Sequence, residues 1–396
     1  MKILVLSFYY QPDLCAGSFR TTALVNELRQ VVPPGSHIDV VTTLPNRYRS
    51  FSAEAPEVDI EQDVALRRIA LPPHKSGMGD QAKAFMVFAW QARRHCASRE
   101  YDLVFATSSR LMTAVLGAWV ARRQRAILYL DIRDIFVDTI KDVLPGRLVW
   151  FVKPLFSFCE RWAISRADRV NLVSEGFKGY FTSRYPAGRF SYFTNGIDDE
   201  FISAAALSSD NAASRGDRPL AVLYAGNIGE GQGLHAILPA LAKRMGDGFI
   251  FRVIGDGGRK EALVGAVKAA GVGNVELLPP MKRNELIAAY QAADILFLHL
   301  NDYDAFKKVL PSKIFEYAAM GKPIWAGVAG YAADFLGKEV ANSAVFHPCD
   351  AESAAKAFTA LELGTASRQE FLEKYARGNI SRRMAEEIVA TERVGP

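Results

Sequence analysis

Lys313 and Glu316 stand three residues apart in PSKIFEYAAMGKPIWA, residues 311–326, a stretch that is otherwise mostly apolar. On a helix that spacing places an ammonium and a carboxylate about one turn apart on one face. Phosphate and ribose hydroxyls need those two chemistries side by side, and a carboxylate can accept from both ribose hydroxyls in a charge-assisted pair. The flanks read as helix punctuation: Ser312 as N-cap, Gly321 just past the end, and Pro323 to stop continuation. Between them Ile314, Phe315, Tyr317, Ala318, Ala319 and Met320 make a helix apolar nearly all round, which is expected to be buried. A buried Glu316 needs a partner, from the protein or from a ligand. The plainer alternative is a first-turn glutamate helped by the helix dipole and a hydroxyl.

Four further loops carry residue types suited to a phosphate-bearing ligand. In QPDLCAGSFR, Gly17 lets the backbone approach a ligand, Ser18 is placed to cap the following helix, and Arg20 falls in its first turn. A cation there gains nothing from the helix dipole, so either an anionic partner or an ordinary surface position is expected. AGNIGEGQG, with Gly226, Gly229, Gly231 and Gly233, follows a strand and opens a helix, the arrangement of a phosphate cradle. GDGGRKEAL repeats that pattern, and Arg259 is placed to reach a diphosphate. In DIRDIFVD the acids Asp131 and Asp134 flank Arg133 at a strand end, as a catalytic cluster or as a structural ion pair. Asp256 ends a strand where a dinucleotide-binding fold places its ribose acid, which keeps a nicotinamide enzyme as a rival, although the glycines do not follow GxGxxG.

These loops need elements to hold them. The chain has 396 residues, too many for one core, with 49% hydrophobic and 23% charged residues. Strand-like runs alternate with helical patterns: KILVLSFYY, HIDVVTT, YDLVFATS, AILYLDIRD and RVNLVSEG in the first half, then LAVLYAGN, FIFRVIGDGG, NVELLPP, ILFLHL, PIWAG and SAVFHP. Such alternation predicts α/β architecture: two doubly wound domains, with ligands at the strand carboxyl ends in the cleft between them. The first domain is expected over 1–202, a small polar linker over 203–218, the second domain over 219–366, and a helical tail over 367–396 that packs back towards the first. A net charge of +5 suits phosphate-bearing ligands or an anionic membrane surface, without a Lys/Arg run dense enough for nucleic acid. Four scattered cysteines point to a reducing compartment and no structural zinc. MKILVLSFYYQPD reads as a buried first strand rather than a signal peptide, and no stretch approaches the roughly 20 apolar residues of a membrane span.

Taken together, the first-strand glycine loop, NGID at 195–198, the glycine loop after the linker, GDG, and PSKIFEYAAMGKP resemble the GT-B glycosyltransferases of family 4 over essentially the whole chain. PSKIFEY with the DIRD loop is most similar to the bacterial O-antigen and capsule subgroup, which includes transferases of N-acetyl-L-fucosamine from its UDP donor. The resemblance implies two Rossmann-like domains facing a cleft, retention of anomeric configuration and no required metal or other cofactor. DYD at 302–304 is then loop rather than a metal motif. In the family the second Glu of an E-x7-E motif holds the nucleotide ribose, and Glu316 matches it. The donor set implied is Gly17, Arg20, Gly226, Asn227, Gly229, Arg259, Met281, Ser312, Lys313, Ile314 and Glu316, with Asp131, Arg133 and Asp134 as the catalytic cluster. The chain also departs from the pattern. Lys308 stands where the first Glu belongs, with Asp304 as a possible substitute, and Asn227 and Gln232 stand where many members carry Arg and Lys. Acids at 131 and 134 replace a frequent His, and one of them is expected at the donor sugar or the acceptor hydroxyl.

The implied donor is a UDP-sugar and the implied acceptor a polyprenyl-diphosphate-linked saccharide, with no nucleic-acid partner. Two stretches, KAFMVFAWQARRHC and GRLVWFVKPLFSFCERWAISR, are basic and aromatic. They read as amphipathic helices on a membrane or as core helices with snorkelling cations. A cytoplasmic protein, peripheral on the inner face of the cytoplasmic membrane, is the expectation. Rival functions are a UDP-sugar epimerase of the same shape, an NAD-dependent oxidoreductase, and a non-catalytic nucleotide-sugar-binding module.

Overall fold

The structure is a computed structural model that describes residues 1–13, 15–45, 55–61, 63–72, 78–108, 110–138, 146–207 and 218–393. In chain order the elements are β1 (Lys2–Leu6), α1 (Ala16–Val31), β2 (His37–Thr43), β3 (Val58–Glu61), β4 (Val64–Ile69), α2 (Met78–Ala97), β5 (Leu103–Thr107), α3 (Leu111–Gln124), β6 (Ile127–Ile132), α4 (Gly146–Ile164), β7 (Arg169–Leu172), α5 (Lys178–Arg184) and β8 (Phe190–Ser191). There follow α6 (Asp199–Leu207), β9 (Leu220–Asn227), α7 (Leu234–Met245), β10 (Phe249–Asp256), α8 (Lys260–Ala270), β11 (Val275–Leu278), α9 (Arg283–Ala292), β12 (Ile295–His299), α10 (Lys313–Ala319), β13 (Ile324–Gly327), α11 (Tyr331–Glu339), β14 (Ser343–Phe346), α12 (Ala351–Phe358), α13 (Gln369–Tyr375) and α14 (Arg377–Ala390).

The chain forms two compact units, Met1–Asn195 with Arg377–Pro396, and Gly196–Ala376. The first unit holds a sheet in the order β3-β4-β2-β1-β5-β6-β7-β8, parallel except for the antiparallel β3–β4 pair. Its central strands are continuous apolar runs because both faces are covered. Helices α1 and α14 pack on one face over Ile3, Val5 and Phe105, through Leu24, Leu28, Met384 and Ile388. Helices α2, α3 and α4 form another layer: α2 packs on β2 and β4, α3 packs on β5 and β6, and α3 touches both α2 and α4.

The second unit holds a fully parallel sheet in the order β11-β10-β9-β12-β13-β14. One core lies under α7, α8 and α12 around Phe251, Phe297 and Trp325. The other lies under α6, α9, α10, α11 and α13 around Tyr290, Phe315 and Tyr317. Two doubly wound parallel sheets are the architecture the alternation predicts.

Three sequence expectations need correction. The second unit begins at Gly196 rather than at 219, because α6 is not linker: Ile197, Phe201 and Ala204 are buried in the second unit's core. Of the expected linker, residues 203–207 are helical and 208–217 lie outside the described residues. The tail divides. Phe371 of α13 stacks on Phe315 in the second unit, and only from Arg377 does the chain belong to the first. A parallel bridge between Ile197 and Ala376, with the Ile197 N–H donating to the Tyr375 carbonyl at 2.8 Å, keeps both segments in the second unit up to that point. Finally, Ser18 does not cap α1. The helix starts at Ala16, so the N-cap is Cys15, without a side-chain cap, and Ser18 is buried inside the first turn.

Trp325 is wholly buried, contacts the rings of Phe251, Phe297, Phe346 and Phe358, and donates its indole N–H to the Ala354 carbonyl at 3.0 Å. Truncation leaves a large cavity where the sheet, β14 and α12 meet. Trp325→Ala is therefore expected to cost about 3–5 kcal/mol, measured by urea denaturation.

Candidate active site

In the second unit the segment 311–326 is placed by its apolar residues. Ile314, Phe315, Tyr317, Ala318 and Ala319 are all buried, which fixes α10 against β12 and leaves Lys313 and Glu316 together at its start. Gly321 takes the left-handed conformation, φ 69°, that ends the helix. Ser312 occupies the N-cap position but has helical dihedrals and makes no side-chain cap, so its expected capping role is corrected.

Glu316 is 9% exposed. Its Oε2 accepts from Lys313 Nζ at 2.9 Å and from the Tyr290 hydroxyl at 3.1 Å, and Lys313 Nζ also lies 3.1 Å from the Tyr290 hydroxyl. Its Oε1 takes no hydrogen bond from the described residues. The plainer reading is thus half realised: a hydroxyl partner is present, and so is an uncommitted carboxylate oxygen. Burial pulls the Lys313 ammonium down, but Glu316 and the neighbouring tyrosines outweigh it and hold Lys313 above its ordinary value, so it is charged. Burial, then Glu316, raises Tyr290 far above the usual phenol range, which keeps it a donor. Tyr290 was not singled out in the sequence. It comes from α9, inside the apolar face of NELIAAYQAAD, and its ring packs on Phe201 and Tyr317.

The glycine loop after β9 is brought to the same place. A Cβ on Gly226 would lie 3.2 Å from Lys313 Cε, so the lysine stem runs alongside that glycine. A Cβ on Gly255, at φ +154°, would lie 1.9 Å from the Gly226 carbonyl oxygen, so the GDG turn and the glycine loop touch backbone to backbone. The Ile228 N–H donates to the Asp256 carbonyl at 2.9 Å and the Arg259 N–H to the Ile228 carbonyl at 2.9 Å.

The loop's far side is held by His299, which the sequence reading passed over as the end of a strand. Its Nδ1 lies 2.7 Å from the Gln232 carbonyl and its Nε2 accepts the Cys349 N–H at 2.9 Å, which assigns the proton to Nδ1. Burial lowers His299 to about 4, against a small raising by the Gln232 carbonyl, so it is neutral. Asn301 adds a donation to the Glu230 carbonyl at 3.2 Å.

Several predicted donor residues have other engagements. Asn227 donates to Gln232 Oε1 at 2.8 Å, and the Gly229 N–H donates to the same oxygen at 3.2 Å. Arg259 pairs with Glu230, which also accepts from the Tyr303 hydroxyl at 2.6 Å. The side chain of Ile314 is in the core, so only its backbone could face a ligand. Met281 lines a cavity of about 290 Å3 with Leu278, Ile254 and Ala289. In the DYD segment Lys307 lies 3.7 Å from Asp302 and 3.0 Å from Asp304.

In the first unit Asp131 and Arg20 form one lock. Asp131 Oδ1 accepts from Arg20 Nη2 at 2.9 Å and Asn171 Nδ2 at 2.7 Å; Oδ2 accepts from Arg20 Nε at 3.0 Å and the Thr107 hydroxyl at 3.1 Å. Arg20 also donates to the carbonyls of Phe193 and Thr194, and is 4% exposed. The ion pair that forms is not the expected one with the adjacent Arg133 but one with Arg20, which is committed to Asp131 rather than held out towards a ligand. Arg133 comes beside Gly17, 3.8 Å from a Cβ placed there, and its Nη1 lies 3.4 Å from the Ala16 carbonyl. Asp134 is exposed; surrounding protein raises its carboxyl to about 6, with Arg133 pulling it back.

Two family descriptions match this chain: a glycosyl transferase 4-like domain over residues 19–196 and glycosyl transferases group 1 over residues 209–378. Each match spans less than half of the chain, the first falling on the first unit and the second on the second unit. A protein named as a colanic acid biosynthesis glycosyl transferase, WcaI of Escherichia coli strain K12, is 32% identical over 175 residues, which span 43% of this chain and 43% of that protein. HepE from Anabaena, solved in complex with UDP-glucose, superposes with TM-score 0.66 at 16% identity, covering 98% of this chain and 100% of that one. The lipopolysaccharide outer core galactosyltransferase WaaB superposes with TM-score 0.64 at 12% identity, covering 99% and 100%. The chain therefore has the fold of these two proteins, two Rossmann-like units of the GT-B type.

The Asp131 lock makes a measurable claim. Burial alone would raise Asp131, but Arg20 by charge and hydrogen bonds, then Arg133 and Asn171, bring it below its ordinary 3.8. A carboxyl depressed in the folded state stabilises above the unfolded value and loses that contribution as pH falls through the folded value. Asp131→Ala leaves Arg20 buried without its carboxylate and is expected to cost about 3–5 kcal/mol at neutral pH. Denaturation from pH 7 down to pH 3 should show the wild type losing stability below about pH 4 and the variant losing less there.

Proposed function

We propose that this glycosyltransferase moves a sugar, N-acetyl-L-fucosamine or a related N-acetylated sugar, from a UDP-sugar to a polyprenyl-diphosphate-linked saccharide. It would do so with retention at the anomeric carbon, without a metal, in assembling a bacterial surface polysaccharide on the inner face of the cytoplasmic membrane. The observation that carries the donor is Glu316: a nearly buried carboxylate with one oxygen bound by Lys313 and Tyr290 and the other uncommitted. An oxygen so placed, beside a charged lysine and a glycine loop, suits ribose hydroxyls next to a diphosphate. HepE's complex with UDP-glucose and the polysaccharide roles in the names of WcaI and WaaB support the same reading.

The chemistry asks little of acid–base groups. The bond from the anomeric carbon to the β-phosphate oxygen breaks, and a bond to the acceptor oxygen forms on the same face. The acceptor's hydroxyl proton passes to the departing phosphate. Charge building on that phosphate is met by Lys313. Asp134, exposed where Asp131 is locked, is the carboxylate that reaches a sugar hydroxyl.

Calorimetric titration of UDP, GDP, ADP and NAD into the wild type and Glu316→Ala tests the donor. UDP should bind, and the variant should lose about 1–3 kcal/mol. Unchanged UDP affinity in a folded variant removes Glu316 from the site, and NAD binding alone removes the transferase. With a UDP-sugar and a lipid-linked acceptor, Asp134→Asn is expected to lower turnover by about 10–100-fold, the loss of a charged hydrogen bond to a sugar hydroxyl, at unchanged melting temperature. Release of UDP and an epimer without acceptor would identify an epimerase instead.

A further inference from the structure

Helices α2, α3 and α4 carry surface chemistry that sugar transfer does not use. On α2, Ala84, Phe85, Phe88 and Ala92 face the core, while Met86 and Trp90 point outward, Trp90 being 55% exposed. On α4, Trp150, Leu155 and Phe158 are exposed, Trp150 by 74% and Phe158 by 65%. The exposed large hydrophobic side chains described in the second unit are only Val264 and Leu363, neither aromatic. The same three helices present Arg93 and Arg94, Arg122 and Arg123, Lys153 and Arg161 to solvent. Their described acids are Asp80 and Glu160, and Glu160 is buried, accepting from the hydroxyls of Tyr180 and Tyr185.

Cations and indoles are paired across this layer. Arg94 lies over Trp90 at 4.8 Å, and Trp119 of α3 has Arg93 at 5.5 Å and Arg123 at 5.6 Å. At the end of α4, Arg166 lies over Trp162 at 4.4 Å. Indoles suit the boundary between water and acyl chains, while guanidinium groups suit anionic headgroups. Among the described residues no helix is long and apolar enough to cross a membrane.

We propose that the outer face of α2, α3 and α4 is the surface by which the protein lies on a bilayer rich in anionic lipid, Trp90, Trp150 and Phe158 entering the interface and the arginines meeting headgroup phosphates. This assigns the surface for the membrane attachment proposed above and rests on it. It requires neither donor nor acceptor. The occupant is lipid rather than protein because, among the described residues, the cations outnumber exposed acids on these three helices and flank their apolar side chains.

The test is co-sedimentation of the purified full chain with vesicles of equal parts phosphatidylglycerol and phosphatidylcholine, against phosphatidylcholine alone, at low and at physiological salt. The variants are Trp90→Ala/Trp150→Ala and Arg93→Gln/Arg94→Gln, each checked for an unchanged unfolding midpoint, with Val264→Ala as control. Wild type and control should bind the anionic vesicles, less at higher salt, and each double variant should bind on the order of tenfold more weakly. No binding by the wild type overturns the surface and the attachment together, leaving sugar transfer to be judged by its own assay. Equal binding by wild type and variants overturns the surface alone. Binding indifferent to lipid charge, or variants that change only self-association, would make the face a protein interface.

Discussion

A carboxylate taken out of water has to be answered, and the two units answer theirs to different degrees. Asp131 has both oxygens engaged, by Arg20, Asn171 and Thr107. Glu316 has one oxygen engaged, by Lys313 and Tyr290. The first arrangement ties α1 and β6 to the chain leaving β8, because the same Arg20 holds the carbonyls of Phe193 and Thr194. It is closed, with nothing left over for a ligand. The second is closed on one side only. Part of its polar satisfaction has to come from water or from something that binds. Under the proposed function, degree of saturation separates the structural pair from the donor site more sharply than the presence of charge does.

Around Glu316 the supporting shell comes from distant parts of the chain. His299 ties the glycine loop to the segment at Cys349, and it can do so only while neutral, since a second ring proton would remove the acceptor of the Cys349 N–H. Gly255 allows the GDG turn to touch the Gly226 carbonyl. Asn227 and Gln232 satisfy each other where a pair of cations would otherwise project. Arg259 is neutralised by Glu230. The loop is consequently held by hydrogen bonds from several sides and carries little free positive charge. Lys313, held beside Gly226, is the ammonium at this point of the unit, and Arg283 adds a second positive charge near Glu316. Under the proposed reaction the diphosphate would be met chiefly by the Lys313 ammonium. A long-range electrostatic funnel would contribute little.

The doubly wound sheets were legible because parallel strands buried on both faces are continuous apolar runs, as in KILVL, LVFAT and ILFLH. The β3–β4 pair was not, since VDIE is short and mostly exposed at the sheet edge. The unit boundary was misplaced because AAAL in α6 is small and looks like linker, although Phe201 and Ala204 anchor the helix in a core. Lys313 as the partner of Glu316 could be read from i,i+3 spacing, whereas Tyr290 arrives from another helix. Arg20 shows the limit most clearly. Its position near a helix start argued for an anion, and that was right in kind, but the anion is Asp131, 111 residues away. Local electrostatics predicts that a partner is needed. It cannot tell a protein carboxylate from a phosphate.

The exposed aromatic layer of the first unit is not a consequence of its fold. The second unit is wound in the same way and places helices on its parallel sheet with no exposed large aromatic among its described residues. A helix in such a layer needs only its inner stripe, here Ala84, Phe85, Phe88 and Ala92 on α2, to hold its place. Trp90 and Trp150 expose large apolar area to solvent where they stand. Arg94 over Trp90 covers part of that area with a cation that is itself at home in water. Apolar bodies flanked by guanidinium groups keep the layer compatible with water while leaving it ready to exchange that water for phosphate and acyl chains.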